Sequence, residues 1–348
     1  LSIPYQCFIR GSSIIKNLHV TCLTMEKNLK MFKERYGDKI PFESHSKIRS
    51  EEACLKSTEK IIELAKILPE FDGIFTTHMR NEAIDVIKSV NETIKISSTA
   101  KVRTVISHHK CAGRDNWGKS KTTLKLIEEA KKDNFLDLDC YPYTASSTML
   151  LKSFVKRADR VLVTWSDNYP DVSGQDLNDL SKKFGLSIDE TIDKLYPAGA
   201  IYFQMDDQDL NRILQFPGTM VGSDGIPGDR HPHPRLWGTF PRVLGKYSRE
   251  MKLFPLEEAV YKMTGKSAGV FGLESRGTID VNNYADLVIF NPDTIIDKAS
   301  YETPKLHADG IENVFVNGEV VWAGDLSLIH ISEPTRPRLI SYAVFCLK

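Results

Sequence analysis

The chain has 348 residues, 41% hydrophobic and 26% charged, with a formal net charge of +0. That composition fits a globular protein with a large core, and the balanced charge excludes the basic excess of a nucleic-acid binder. There is no apolar run long enough for a membrane span, and the six cysteines form no C-x-x-C pair, so neither a zinc knuckle nor a disulfide framework is suggested.

A reducing, cytoplasmic setting is the expectation from this cysteine usage. The opening, L-S-I-P-Y-Q, lacks both Met and a signal-peptide pattern and reads as an internal cut. Residues 1–56 stay unassigned: Lys27 to Lys39 is basic and helix-compatible, and His19 and His45 read as surface histidines. From Ser57 the text becomes regular. S-T-E-K predicts an N-cap at Ser57, and Ile61, Ile62, Leu64, Ala65 and Leu68 carry helical periodicity. Pro69 and Gly73 end that helix. Further helices are predicted over Asn81–Ser98 and Lys121–Asp133, with strands over Gly73–His78, Val102–His108 and Phe135–Tyr141. Strand alternating with helix is the α/β pattern, and parallel pairing then requires right-handed crossovers.

The alternation lapses between about 143 and 216. A strand at Val161–Trp165 and helices at Leu177–Phe184 and Ile188–Leu195 predict an insertion between two barrel strands, a usual place for a lid. Helices at Leu256–Met263 and Ser267–Phe271 would close a barrel domain spanning 57–272. Gly277–Asn291 turns to period two, and Gly310–Trp322 reads as a hairpin turning at Asn317-Gly318. These predict a small β module over 273–325.

Three apolar runs end in chemically competent side chains. Gly73–Glu82 ends in His78, Val102–Gly113 in His108 and His109, and Thr219–Val221 in the Gly-Ser-Asp-Gly turn bearing Asp224. A barrel enzyme presents its catalytic groups at such C-terminal strand ends. Each residue also has a plainer reading. A lone strand-end His is more often a hydrogen-bonded structural residue, an Asp in S-D-G suits a turn, and Lys110 and Arg235 could be surface ion pairs. His109 should point away from His108 if the strand pleat persists. Trp117, Trp237 and Phe240 read as packing residues.

In order, T-H-M-R-N-E, I-S-H-H-K-C-A-G-R-D-N-W-G-K, Y-P-Y-T-A-S-S-T, G-S-D-G-I-P and H-P-H-P-R-L-W-G-T-F resemble the N-acyl-D-amino-acid deacylases of the amidohydrolase superfamily. So do R-G-T-I-D, Y-A-D-L-V-I-F-N-P-D-T-I-I-D and G-I-E-N-V-F-V-N-G further on, so the resemblance covers about Ser57 to Asp325. It implies a metal-dependent-hydrolase TIM barrel, here partial, and Zn2+ held in part by His78 and His108. It implies Asp224 as the catalytic carboxylate, and Lys110, Tyr141 and Arg235 as the residues binding the substrate carboxylate. The implied reaction is hydrolysis of N-acyl-D-amino acids. The alternatives are a cyclic-amide hydrolase or deaminase of the same superfamily, or a non-catalytic fragment. A small-molecule substrate is the expected partner, with no nucleic acid and no membrane.

Two departures from the family shape the expectations. No His-x-His precedes His231, and His231-Pro-His233 belongs to the loop after Asp224. An N-terminally truncated fragment with weak zinc binding is therefore expected, and none of Cys7, Cys22 or Cys54 is assignable as the family's cysteine ligand. At the other end, L-S-L-I-H-I-S-E-P-T-R and I-S-Y-A-V-F-C-L-K resemble translated sequencing adapter and primer. Residues 326–348 are accordingly expected to be non-native and to dock with no defined, sequence-encoded partner surface, which sets His330 and Cys346 aside.

Overall fold

The computed structural model of the protein describes residues 51–324, with side chains over 57–324, and in addition only the backbone of three short strands outside that range. His19, His45, His330, the stretch Lys27–Lys39 and the side chains of Cys7, Cys22, Cys54 and Cys346 lie outside the described residues. The strands are β1 (Thr21–Cys22), β2 (Ile74–Thr77), β3 (Arg103–Ile106), β4 (Leu136–Cys140), β5 (Ala145–Met149), β6 (Arg160–Ser166), β7 (Ala198–Phe203), β8 (Thr219–Val221), β9 (Leu287–Phe290), β10 (Ile311–Val316), β11 (Glu319–Ala323), β12 (Leu326–Ser327) and β13 (Val344–Leu347).

The central sheet runs β1-β2-β3-β4-β8. β2, β3, β4 and β8 pair in parallel, with Ile74 beside Arg103, Thr104 beside Leu136 and Leu138 beside Thr219; β1 joins β2 antiparallel. The parallel strands are covered on both faces, and so β2 is buried along its whole length. Helices Val86–Ala100 and Ser120–Ala130 make the crossovers. Their apolar positions recur at helical spacing: Val86 and Val90 on the first, Leu124 and Ile127 on the second, packed with Ile106, Leu136 and Leu138 in one core. Ile127 is completely buried, which contributes about 1.5–3 kcal/mol from its side chain alone.

The first helix among the described residues corrects one expectation. It spans Glu51–Ala65, so Ser57 is a buried mid-helix residue and not an N-cap. No Pro or Gly lies between Glu51 and Ser57 to interrupt the helix, and local cap chemistry gives way to the continuing turn.

Between β4 and β8 the chain builds a separate antiparallel sheet, β5-β7-β6. Helices Leu177–Phe184 and Ile188–Leu195 pack on it and share a core of Leu150, Val161, Val163, Leu180, Leu195 and Tyr202. The second of these helices starts at Ser187, whose side chain and that of Glu190 form a capping box. β5 and β7 were not predicted, because A-S-S-T-M and A-G-A-I-Y-F lack the alternation of a half-buried strand.

After β8, helices Leu256–Met263 and Gly265–Phe271 return against the sheet. The period-two stretch at Gly277–Asn291 yields a strand only at β9, since Asn282, at φ 74, and the turn from Asp280 to Asn283 break its first part. β10 and β11 form the expected hairpin. Asn317 (φ 52) and Gly318 (φ 84) both take the left-handed conformation that a two-residue turn of this kind requires.

The backbone of β13 pairs in parallel with β9, and β12 pairs with β11. An open sheet edge accepts any β-prone run, and V-F-C-L is one, so the pairing says nothing of the segment's origin. No helix among the described residues is long and apolar enough to cross a membrane.

Candidate active site

The ends of the parallel strands converge on one polar cluster. His78 follows β2, and the Ser107 N–H donates to the Thr77 carbonyl at 3.0 Å, carrying the β2–β3 pairing to the brink of His108. His108 and Asp224 both sit at positive φ, 41° and 48°. His and Asp are among the side chains that tolerate this region best, and such backbone persists only where surrounding contacts enforce it. For His108 the enforcing contact is Asp139 on β4, whose Oδ1 accepts the His108 N–H at 2.8 Å.

That turn aims the imidazole back at β2. His78 Nδ1 and His108 Nε2 lie 3.0 Å apart. Glu82 Oε1 lies 2.9 Å from His108 Nδ1 and accepts from Lys110 Nζ at 2.6 Å. His78, Glu82 and His108 offer ligand atoms that all lie within 4.8 Å of one another, so this is the group able to hold a metal among the described residues.

The electrostatics follow from packing basic and acidic side chains against one another. Burial alone would raise the Glu82 pKa, but Lys110, His78 and His108 hold it well below the usual carboxylate range. Glu82 pulls His78 upward, yet burial, His108 and Lys110 prevail and lower it to about 4. His78 is therefore a neutral imidazole near neutral pH, with a lone pair to give. Burial and Lys110 push His108 down, while the Asp224 and Glu82 carboxylates more than compensate and raise it. Burial lifts Asp139 to about 6 against the pull of His108.

Asp139 is held in turn by Gly222. A Cβ at that position would stand 2.8 Å from Asp139 Oδ1, and Asp139 cannot retreat without dropping the His108 N–H. Gly222→Ala is expected to lower unfolding free energy by about 1–3 kcal/mol, the usual cost of overpacking. Denaturant unfolding of the two proteins checks this, and identical midpoints would mean that Asp139 moves freely.

Across the cluster, Arg235 opens the helix Arg235–Arg242 and is 1% exposed. Its Nη1 lies 2.9 Å from Asp224 Oδ2, an ion-pair distance without hydrogen-bond alignment. Its guanidinium stacks 4.5 Å over the Tyr141 ring, and Lys110 Nζ lies 5.5 Å from the same ring. Burial would raise the Asp224 pKa, but Arg235, His108 and Lys110 together lower it. Arg235 Nε and Nη1, Tyr141 Oη and Ser147 Oγ are all buried without a hydrogen-bond partner among the described residues. Arg235 Nη2 reaches only the Ser147 carbonyl, at 3.4 Å. A buried polar group left unsatisfied costs about 1–3 kcal/mol. Several on one spot mark a place shaped for an anionic acceptor.

His78, His108, Lys110, Tyr141, Asp224 and Arg235 thus surround one locus. His109 turns away from the cluster, although the pleat ends at Ile106 and the turn at His108 intervenes, and bonds Thr123 Oγ1 at 2.9 Å. His231 faces the Tyr301 carbonyl and His233 the Ala145 carbonyl, so neither joins the cluster. Trp117 donates to the Gln204 carbonyl, Trp237 packs on His307, and Phe240 packs on the main core. Glu82, Asp139 and Ser147 were missed. Glu82 had a signal in its four-residue spacing from His78; Asp139 and Ser147 had none, as their meaning lies in cross-strand contacts.

Residues 210–322 match the amidohydrolase family model. The chain is 49% identical over 270 residues to a D-aminoacylase of Alcaligenes xylosoxydans xylosoxydans, covering 78% of this chain and 56% of the relative. It is 44% identical over 260 residues to an N-acyl-D-glutamate deacylase of the same organism, covering 74% and 53%. Among solved structures, a D-aminoacylase crystal structure matches at TM-score 0.75 and 49% identity, covering 78% of this chain and 57% of that one. An N-acyl-D-glutamate deacylase from Bordetella bronchiseptica, solved with zinc and a phosphonate mimic of the tetrahedral intermediate, matches at TM-score 0.76 and 39% identity, covering 85% and 60%. The chain spans about half the length of the curated relatives it matches.

Proposed function

We propose, from the premise that the chain is a relative of the D-aminoacylases in the amidohydrolase family, that it carries the reaction face of a zinc-dependent deacylase of N-acyl-D-amino acids. The observation that supports this most is the set of orphaned donors on Arg235 and Tyr141 beside Asp224 and the His78–His108 pair. A cyclic ureide without a free carboxylate would leave those donors unused. An N-acyl amino acid has one, and a guanidinium fork matches it.

The donor set fits zinc. His78 Nδ1 and His108 Nε2 would hold the ion, two imidazole nitrogens directed at one locus. When bound, zinc supplies Lewis acidity toward the amide carbonyl and the attacking water. The protein's own part is to bind and to move a proton. Arg235, Tyr141 and Lys110 hold the substrate carboxylate and so orient the amide. The substrate carboxylate competes with Asp224 for the Arg235 guanidinium, and Asp224 becomes more basic as that pairing weakens. Asp224 then takes the proton of the attacking water and passes it to the leaving nitrogen, freeing the amino acid. The reducing setting expected from the cysteines suits Cys111 and Cys140, both buried and free, and a cytoplasmic enzyme is our reading.

The test is hydrolysis of an N-acetyl-D-amino acid, its L-enantiomer and a cyclic ureide by the open reading frame containing these residues, with zinc measured in each preparation. Faster hydrolysis of the ureide, or activity that survives removal of all metal, would overturn the proposal.

A further inference from the structure

We propose that Glu82 is a positioning residue: it fixes His108 as the Nδ1–H tautomer, turning the Nε2 lone pair toward His78, and it anchors Lys110 with the same oxygen. The proposal rests on the zinc reading above for its functional consequence, though not for its geometry.

Glu82 is a half-buried carboxylate with three candidate site residues around it. Oε1 accepts from Lys110 Nζ at 2.6 Å and lies 2.9 Å from His108 Nδ1, while Oε2 is 3.9 Å from His78 Nε2. Its backbone is tied down as well. The Glu82 carbonyl accepts from Ala112 N at 2.7 Å, and the preceding Asn81 caps the N–H groups of Ala83 and Asp85. The carboxylate is therefore held to the loop after β3 as firmly as to the loop after β2.

Two arrangements of protons on the neutral His108 ring satisfy these distances. Lys110 Nζ is also 2.7 Å from His108 Nδ1. In the first arrangement Nδ1 accepts from Lys110, and the ring proton sits on Nε2, pointing at His78. In the second, Nδ1–H and Lys110 both donate to the Glu82 carboxylate, and Nε2 is bare. The second pairs two donors with an anion in charge-assisted bonds. The first leaves Glu82 without the imidazole donor beside it and puts a proton where a ligand's lone pair is needed.

Glu82 is not itself a ligand in this arrangement. The two nitrogens of an imidazole point to opposed sides of the ring, so a carboxylate oxygen on Nδ1 lies away from an ion on Nε2. The Lys110 ammonium beside Nδ1 also bars a second cation from that side. The arrangement is the carboxylate–histidine relay that orients metal-binding imidazoles generally. Here the carboxylate is shared with Lys110, which couples the histidine pair to the anion-binding side of the site.

The test begins with the metal-free full chain carrying 15N-labelled histidine. Long-range imidazole correlations, recorded above the His108 pKa so that the ring carries a single proton and assigned by loss of signal in His108→Asn, should show His108 as Nδ1–H, shifting toward Nε2–H in Glu82→Gln. Asn suits position 108 because it tolerates positive φ. A wild-type Nε2–H tautomer overturns the proposal. Zn2+ competition against a chelator follows. Glu82→Gln should weaken binding about 10–100-fold, with Glu82→Asp in between and His108→Asn losing it altogether. A Glu82→Gln loss as complete as that of His108→Asn would make Glu82 a ligand, and no loss would remove its role; either overturns the proposal. If the wild-type chain binds no zinc, the zinc reading fails, while the tautomer still decides what Glu82 does.

Discussion

Asp224→Asn is expected to lower turnover by about 10²–10⁴-fold, the usual contribution of a positioned acid–base group, with bound zinc near the wild-type amount. Asn keeps the size and one carbonyl acceptor of Asp, and it tolerates the left-handed backbone at φ 48° better than most residues. The substitution should therefore leave the loop in place and remove only the proton acceptor. It also removes the negative charge 2.9 Å from Arg235. A freed guanidinium binds an anion more readily, so KM should stay level or fall while kcat collapses. That combination separates a catalytic carboxylate from a structural turn residue, whose loss would lower stability and metal content together. Near-normal turnover in Asp224→Asn would remove Asp224 from the chemistry.

Arg235→Lys is expected to act on the other kinetic constant. Lysine keeps one positive charge but loses the planar fork and the stacking on Tyr141, seated at 4.5 Å in the native protein. Hydrogen bonds to charged groups contribute about 1.5–3 kcal/mol, so KM for an N-acyl-D-amino acid should rise about 10–150-fold with kcat changed much less. The effect should shrink on a substrate whose carboxylate is amidated, because nothing is then lost. Since Arg235 is 1% exposed, thermal melting of the variant must accompany the kinetics. A fall in kcat at constant KM would instead assign Arg235 to the tuning of Asp224. The two substitutions share one ion pair, so their effects should not add.

The sequence by itself determined the parallel α/β plan and the places where side chains could do chemistry. Short apolar runs stop at His78, His108 and Asp224, and amphipathic helices stand between them; both signals are local and survive without a partner strand. The Asn317-Gly318 hairpin was legible for the same reason, as its turn needs only residues able to take positive φ. Local reading failed at Ser57, where a continuing helix overrode a cap-like tetrapeptide, and at β5 and β7, whose pairing is decided by neighbours remote in the chain. Only the tertiary structure decided how the site is wired. The β2–β3 register puts His78 opposite the turn at His108, and Asp139, backed by Gly222, holds that turn. Glu82 then lies against the imidazole nitrogen that faces away from His78, with Lys110 beside it. The unsatisfied atoms of Arg235, Tyr141 and Ser147 acquire meaning only once burial is known, because an exposed donor finds water and a buried one requires a partner.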